Sequence, residues 1–181
     1  MNLRYENLCY RERTQDTHRI VLKLGHGQIE HARITALNSS ATHTACALFD
    51  IIAGTAKPTE GRLTYGLLGS DGRWRYHPEV PAGRMKIVRQ KKGLHLFRSK
   101  KDGQQGAEQL DLLRTALLHP PELLLVDALS PMTDDLLVLR IDELLMAARD
   151  DYGLTVILIC NDPARIARLG ADSLTLADGD K

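Results

Sequence analysis

Apolar and polar residues alternate along the chain in blocks that are typical of an α/β domain. Residues 34 to 54 read as a strand end, a loop of small polar residues and a helix, with Leu48, Ile51 and Ile52 at helical spacing. Gly54 is the predicted C-cap of that helix. Residues 155 to 159 form a continuous apolar run, which is typical of a strand in a sheet covered on both faces.

The same patterns predict the other elements. Strands are predicted at residues 1 to 10, 20 to 24, 62 to 69, 85 to 90, 122 to 127 and 173 to 176. Helices are predicted at residues 108 to 118, 134 to 149 and 163 to 169. Residues 11 to 18 and 25 to 27 are predicted to be turns, and residues 70 to 72 a hairpin connection.

The predicted helix at residues 134 to 149 is amphipathic. Its inward positions are Leu137, Ile141, Leu144 and Leu145. Its predicted outward positions are Asp135, Arg140, Asp142 and Glu143.

The loop between the first central strand and its helix is built like a phosphate-binding loop. Free amides and the helix dipole at such a junction both favour an anion. The pattern that uses this geometry is G-x-x-x-x-G-K-[ST]. The aligned positions are Ser39, Thr44, Ala45 and Cys46, so both glycines, the lysine and the metal-holding hydroxyl are absent. From these residues alone, a plain strand-turn-helix unit remains an open alternative.

Several blocks in order resemble an ATP-binding cassette (ABC) ATPase. Residues 35 to 54 and 57 to 61 resemble the first motif and the segment after it. Residues 116 to 127 resemble the Walker B strand and its approach, and residues 152 to 163 the strand and switch near the end. The resemblance implies a P-loop NTPase-like core: a mixed or parallel central sheet flanked by helices, with an N-terminal antiparallel β region. It implies one domain over residues 1 to 181, with the helical subdomain between about 91 and 105 largely missing.

The resemblance also implies roles for particular residues. Tyr10 lies where an aromatic ring stacks on adenine, Gln90 where a glutamine senses the metal, and Asp127 where an aspartate holds magnesium through water. Asp134 lies near an aspartate of the dimer contact, although it would also serve as a helix N-cap. The degenerate nucleotide site would comprise Tyr10, Ser39, Ser40, Thr42, His43, Thr44, Gln90, Asp127 and Asn161.

The chain departs from the family where the chemistry takes place. Ala45 replaces the lysine, Ala128 the glutamate that polarises water, and Asn161 the switch histidine. Of residues 103 to 107, which align with the signature motif, only Gly106 matches. Alanine cannot act as a general base. The resemblance therefore implies the fold of the family without its hydrolytic activity.

Composition describes an ordinary soluble domain. The chain has 181 residues, of which 43% are apolar and 26% charged, and no apolar run reaches the roughly 18 residues of a membrane helix. The N-terminus has no apolar signal-peptide core, so a cytoplasmic location is expected. Cys9, Cys46 and Cys160 are widely spaced, which favours reduced buried thiols over a metal site.

Charge is unevenly distributed. Eight bases and no acid lie between residues 81 and 101: Arg84, Lys86, Arg89, Lys91, Lys92, Arg98, Lys100 and Lys101. This basic segment is a candidate contact surface for an acidic protein, an anionic lipid or a nucleic acid, or else a solvated face. Basic and aromatic residues also alternate at residues 73 to 76, as in some nucleic-acid binders and in exposed hairpin strands.

Three functional hypotheses follow from these features. The first is a catalytically inactive protein that pairs with itself or with an active ABC ATPase, through the surface of residues 39 to 45 and Asp134, or that binds through the basic segment. The second is a transporter subunit that binds ATP and magnesium and leaves hydrolysis to a partner. The third is a small anion site using the hydroxyl and imidazole groups of residues 39 to 44. Under the first hypothesis no cofactor is expected.

Overall fold

The computed structural model describes residues 1 to 13, 18 to 89, 102 to 127 and 135 to 177. The described strands are β1 (Asn2–Arg13), β2 (His18–Ile29), β3 (Ile34–Ser39), β4 (Glu60–Leu68), β5 (Trp74–His77), β6 (Met85–Arg89), β7 (Leu123–Asp127), β8 (Thr155–Ile159) and β9 (Asp172–Leu176). The described helices are α1 (Thr42–Ile52), α2 (Asp102–Leu117), α3 (Asp135–Tyr152) and α4 (Pro163–Leu169).

Five strands form a parallel sheet in the order β6-β7-β8-β3-β9. Strand β8 is fully buried, as its continuous apolar sequence predicts for a sheet covered on both faces. The alternation of side chains sends Leu123 and Leu125 of β7 into one core and Leu124 and Val126 into the other. Helix α1 and the second sheet cover the first core, and helices α2 and α3 cover the second.

The second sheet is antiparallel, in the order β2-β1-β4-β5, and confirms the predicted N-terminal β region. The predicted turn at residues 25 to 27 is wrong, because β2 continues through it and pairs with β1. Gly27 is opposite Tyr5, and a Cβ atom at position 27 would lie 2.2 Å from the Tyr5 hydroxyl. The glycine therefore makes room for an aromatic ring and does not mark a chain reversal.

Strand β1 also extends further than predicted. It runs to Arg13, so Tyr10 lies within the strand and does not close it. The predicted turn at residues 11 to 18 is shorter for the same reason, and residues 14 to 17 lie outside the described part of the chain. Pairing with β2 continues to the Arg13 and His18 pair, which explains the extra strand residues.

Helix α1 connects the two sheets. Its predicted inward residues Leu48, Ile51 and Ile52 are buried, and the Tyr65 hydroxyl of β4 donates to the Ile52 carbonyl at 2.9 Å. Burial raises the pKa of Tyr65, so this hydroxyl keeps its proton. The helix ends at Ile52 with Ala53 as its C-cap, and Gly54 follows with φ of +73°, the left-handed conformation that glycine adopts most readily.

Helix α2 begins at Asp102, six residues before the predicted start. Residues 103 to 107 therefore lie inside the helix, although their alignment with the signature motif places them at a helix N-terminus. Leu110 and Leu113 are buried, whereas Leu112 is 48% exposed. Residues 90 to 101 lie outside the described part of the chain, so the predicted shortening between residues 91 and 105 stays a prediction.

Asp142 corrects the prediction for the exposed face of α3. Its carboxylate is fully buried, and it accepts hydrogen bonds from Arg165 Nε at 2.9 Å and Arg168 Nη2 at 2.6 Å. Both arginines belong to α4, which packs against this side of α3 and was not visible to a pattern read along one helix. The ion cluster fixes α4, and α4 begins directly after Asn161 and its N-cap residue Asp162.

We expect Asp142→Ala to lower the free energy of unfolding by about 3–5 kcal/mol, because it leaves the buried Arg165 guanidinium without a counter-ion. Glu143→Ala is the matched control: it removes the neighbouring exposed acid and should stay within about 0.5 kcal/mol of the unmodified chain. Urea unfolding of both variants measures the difference. Equal losses in the two variants would contradict the structural role of Asp142.

Candidate functional site

The residues aligned with nucleotide-binding motifs meet at the carboxyl edge of the parallel sheet. Strands β3, β7 and β8 run in the same direction, so Ser39, Asp127 and Asn161 end or follow strands at one edge. Ligands of open α/β sheets bind outside the carboxyl ends of the strands. This edge is therefore the candidate functional site.

The segment that aligns with a phosphate-binding loop does not form one. The pattern places residues 39 to 46 between strand and helix, but α1 already begins at Thr42, so residues 42 to 46 are helical. Ala45, at the lysine position, is 1% exposed and packs in the first core. The connection between β3 and α1 is therefore reduced to Ser40 and Ala41, which is shorter than the loop of the pattern.

Hydrogen bonds within the chain hold this short connection. The Ser39 hydroxyl donates to the Ala41 carbonyl at 2.9 Å and accepts from the Ala41 amide at 3.2 Å. The Asn161 side chain accepts from the Ser39 amide at 3.0 Å and donates to the Ser39 carbonyl at 2.8 Å. At the switch-histidine position, Asn161 thus fastens β3 to the end of β8.

The other predicted hydroxyl and imidazole groups divide between surface and core. Ser40, Thr42 and His43 are exposed at the start of α1. Thr44 is completely buried, and its hydroxyl has no hydrogen-bond partner within the described part of the chain. The N-cap residue Ala41 provides no side-chain acceptor, so the positive end of the α1 dipole faces the carboxyl edge uncapped.

Asp127 is paired with an arginine that the motif analysis did not place here. Strands β6 and β7 pair Arg89 with Asp127, and Arg89 Nε lies 3.2 Å from Asp127 Oδ2. Arg89 Nη2 also donates to Asp50 Oδ1 of α1 at 2.7 Å, and the guanidinium lies 4.8 Å from the centre of the Phe49 ring. Burial alone would lower the pKa of Arg89, but the hydrogen bond to Asp50 and the two carboxylate charges raise it. The guanidinium is therefore a permanent cation between two carboxylates.

These residues are not suited to hold the magnesium ion that accompanies the nucleotide in the ABC ATPases that the sequence resembles. The Asp127 carboxylate already neutralises Arg89, and Cys46 offers a soft thiol where a hydroxyl would be needed for a hard cation. Within the described ranges, no group of three or more His, Cys, Asp and Glu side chains is arranged to hold a metal.

The structure does not bring all predicted site residues together. Tyr10 is half-buried in β1 and packs against the first core. Gln90, Ala128 and Asp134 lie outside the described residues. Gln109 was missed: it is buried on α2, and its Nε2 donates to the Asp127 carbonyl at 3.2 Å. A glutamine next to the buried position Leu110 was the only sequence signal for this contact.

Three residues of the basic segment lie in the described part of the chain, and each has an intramolecular partner. Arg84 forms an ion pair with Glu122. Lys86 Nζ donates to the carbonyls of Ala116 and His119, at 2.9 and 2.8 Å, and so caps the C-terminus of α2. Arg89 binds Asp50 and Asp127 as described. Lys91, Lys92, Arg98, Lys100 and Lys101 lie outside the described residues, so a basic contact surface stays a prediction.

The aromatic residues of β5 contact other parts of the chain. The Arg4 guanidinium lies 4.1 Å from the centre of the Tyr76 ring, and His31 contacts Trp74 edge-on at 5.5 Å between ring centres. Both aromatic residues are half-buried, which favours the interpretation of a hairpin strand over that of a base-stacking surface.

Two further sequence expectations concern the thiols and the membrane. Cys9, Cys46 and Cys160 are not joined in disulfide bonds; Cys9 and Cys160 are buried as predicted, and Cys46 is half-buried. None of the helices within the described ranges combines the length and apolar character needed to cross a membrane.

Comparison with solved structures identifies the fold. The ATP-binding cassette MJ0796, in a dimeric post-hydrolysis state bound to ADP and Pi, superimposes with a TM-score of 0.71 at 16% identity, over 97% of this chain and 94% of that one. MJ0796 as a dimeric bacterial ABC transporter cassette gives 0.68 at 16% identity, over 96% and 94%. Clostridium perfringens cbiO1, part of the ABC transporter complex cbiONQ, gives 0.69 at 17% identity, over 96% and 84%.

The chain thus has the fold of ABC ATPase cassettes, with the parallel and antiparallel sheets that the resemblance implied. No protein-family model matches the sequence, and a search of curated proteins found no match. At 16% to 17% identity the likeness establishes the fold alone.

We expect Asn161→Ala to lower the free energy of unfolding by about 1–3 kcal/mol, because it removes both hydrogen bonds to the buried Ser39 backbone. Asn161→Asp keeps the acceptor for the Ser39 amide but places a carboxylate oxygen beside the Ser39 carbonyl, so it should also lower the free energy of unfolding. Urea unfolding measures both losses, and hydrogen exchange of the Ser39 amide reports the local one. Unchanged protection of that amide in Asn161→Ala would show that Asn161 does not fasten the connection.

Proposed function

We propose that this protein is a catalytically inactive, ABC-ATPase-like binding or regulatory module that acts in the cytoplasm through contacts with another protein. The observation that carries the proposal is the closed connection between β3 and α1. Residues 42 to 46 are helical and Ala45 lies in the core, so the described segment aligned with the phosphate-binding loop differs from the extended loop that cradles phosphates in a cassette ATPase.

The remaining catalytic positions support the same conclusion. Phosphoryl transfer depends on a lysine and a metal that neutralise phosphate charge and on a group that orients the attacking water. Here the aligned residues are Ala45, Ala128 and Asn161, and none can supply these functions. Asp127, which could still bind a metal, is paired with Arg89.

The proposed contact surface lies at the carboxyl edge of the parallel sheet. MJ0796 is dimeric in both of its structures, which supports pairing of this chain with itself or with an active ABC ATPase. Ser40, Thr42 and His43 are exposed at this edge, and so is Leu136, which is 69% exposed at the start of α3. We place Leu136 in the contact because it lies two residues after Asp134, the position near the aspartate of the dimer contact in the family that the sequence resembles.

A second candidate function is nucleotide binding without hydrolysis. The uncapped N-terminus of α1 favours it, because its first turn faces the carboxyl edge and can attract an anion. MJ0796, with the same fold, is bound to ADP and Pi. In this candidate Thr42 and His43 contact the anion, and hydrolysis is left to an active partner.

Nucleotide binding separates the two candidates. We expect ATP and ADP with Mg²⁺ to give no saturable heat in calorimetry and no thermal shift at millimolar concentration, because residues 42 to 46 are helical where the aligned motif has a phosphate-binding loop. A dissociation constant in the micromolar range would instead favour the second candidate. The variant with Thr44→Gly, Ala45→Lys and Cys46→Thr restores three residues of the motif. It tests whether the helical conformation of this segment or the loss of those residues prevents nucleotide binding. We expect it not to bind, because position 45 faces the core.

The contact surface can be tested by placing a charge on Leu136. We expect Leu136→Glu to weaken self-association, or association with an active ABC ATPase of the same organism, at least about tenfold, because a carboxylate in an apolar contact loses its hydration. Analytical ultracentrifugation of the chain alone and of the mixture measures both equilibria.

Leu118→Glu is the matched control for Leu136→Glu. Leu118 is 73% exposed, but it follows α2 at the opposite, amino edge of the sheet, where no contact is proposed. Each variant should keep its free energy of unfolding within about 0.5 kcal/mol of the original, because both sites are exposed. Equal weakening by the two variants would place the contact elsewhere.

A further inference from the structure

We propose that Arg89 is an internal replacement for the divalent cation of this site: its guanidinium neutralises Asp50 and Asp127 and thereby excludes metal ions. The inference concerns the metal position of the fold and does not depend on the partner contact proposed above. It predicts that Arg89 keeps metal ions from binding at the carboxyl edge, and that replacing Arg89 creates a divalent-cation site.

The geometry around Arg89 carries the inference. One guanidinium contacts two carboxylates from different elements, Asp50 of α1 at 2.7 Å and Asp127 of β7 at 3.2 Å. The Asp127 side chain is only 12% exposed, so water does little to screen its charge. Without Arg89, both carboxylates would lose the positive charge that they share at this partly buried position.

The guanidinium is also held from a third side. It lies 4.8 Å from the centre of the Phe49 ring, and Phe49 is fully buried in the first core. A cation over a ring face is attracted by the ring quadrupole. Backbone pairing sets the position independently, because β6 and β7 place Arg89 directly opposite Asp127. The register of the two strands therefore sets the ion pair between Arg89 and Asp127.

The donor set explains why a divalent cation is the relevant competitor. Mg²⁺, Mn²⁺ and Ca²⁺ prefer carboxylate oxygens, and Asp50 and Asp127 each supply one to the same guanidinium. An incoming cation would have to displace Arg89 or remain beside it. At an effective dielectric constant near 20, removing a unit positive charge about 4 Å from a bound cation should raise the affinity for that cation at least about a hundredfold.

The test uses Mn²⁺ as the probe and the full chain as the protein. We expect Arg89→Met to bind one Mn²⁺ ion at least about a hundred times more tightly than the original chain, because it frees both carboxylates and keeps the apolar stem over Phe49. Electron paramagnetic resonance of free Mn²⁺ measures binding directly, and thermal unfolding with and without Mn²⁺ measures its effect on stability. Binding to the original chain that is as tight as to Arg89→Met would overturn the proposal, and so would no binding to Arg89→Met.

Two control variants assign the site. Arg89→Met combined with Asp127→Asn should lose the new affinity, because one of the two carboxylates is gone. Arg84→Met removes an arginine from the segment just before the same strand, where it pairs with the single acid Glu122, and should not create binding. Mn²⁺ binding by Arg84→Met, or its persistence in the double variant, would contradict the assignment to Asp50 and Asp127.

Failure of Arg89→Met to fold would itself be informative. In that case the proposal requires Mn²⁺ to restore folding of the variant during refolding from urea, because the ion replaces the lost counter-charge. Recovery of the native circular dichroism spectrum with Mn²⁺, and not with the same concentration of Na⁺, supports the proposal. No recovery with Mn²⁺ overturns it.

Discussion

The structure depends on two parallel strands that are buried on both faces. Side chains of β7 and β8 alternate between two cores, so neither strand can shift by one residue without exchanging the contents of the cores. This constraint fixes the carboxyl ends of both strands. It therefore sets where Asp127 and Asn161 lie relative to Ser39, whatever chemistry those residues perform. The relative positions of these three residues are thus a consequence of core packing.

The sequence correctly predicted the elements whose buried residues follow the regular spacing of a single helix or strand. Leu48, Ile51 and Ile52 of α1 and the apolar run of β8 lie where their patterns placed them. The errors arose where a contact from another element overrides the local signal. Gly27 looked like a turn residue but makes space for Tyr5, and Asp142 looked solvent-facing until α4 brought two arginines to it. Neither residue is near its partner in sequence, so a pattern read over a few neighbouring residues could not reveal the contact.

The candidate site was predicted in position and only partly in chemistry. Alignment placed Ser39, Asp127 and Asn161 at one edge, and parallel strand order brings them there. It could not show that α1 starts at Thr42, because small polar residues are compatible with both a loop and a first helical turn. Arg89 was assigned to the basic segment, a candidate contact surface or a solvated face, since its partners Asp50 and Asp127 are 39 and 38 residues away in the chain. Pairing of β6 with β7 is the information that was lacking.

A fold that keeps this edge without binding a nucleotide must solve three problems that the ligand would otherwise solve. Backbone groups near the strand ends need partners, the carboxylate at the end of β7 needs a counter-charge, and the space of the loop must be filled. Here Asn161 and Ser39 satisfy the first requirement, Arg89 the second, and the early start of α1 with the buried Ala45 the third. The buried Thr44 hydroxyl, which lacks a hydrogen-bond partner in the described part of the chain, marks a place where the solution is incomplete. Because these contacts are internal, the stability of the edge does not require a ligand. Its exposed residues are then available for another protein, and this is why the contact surface is proposed at the edge where a nucleotide would otherwise lie.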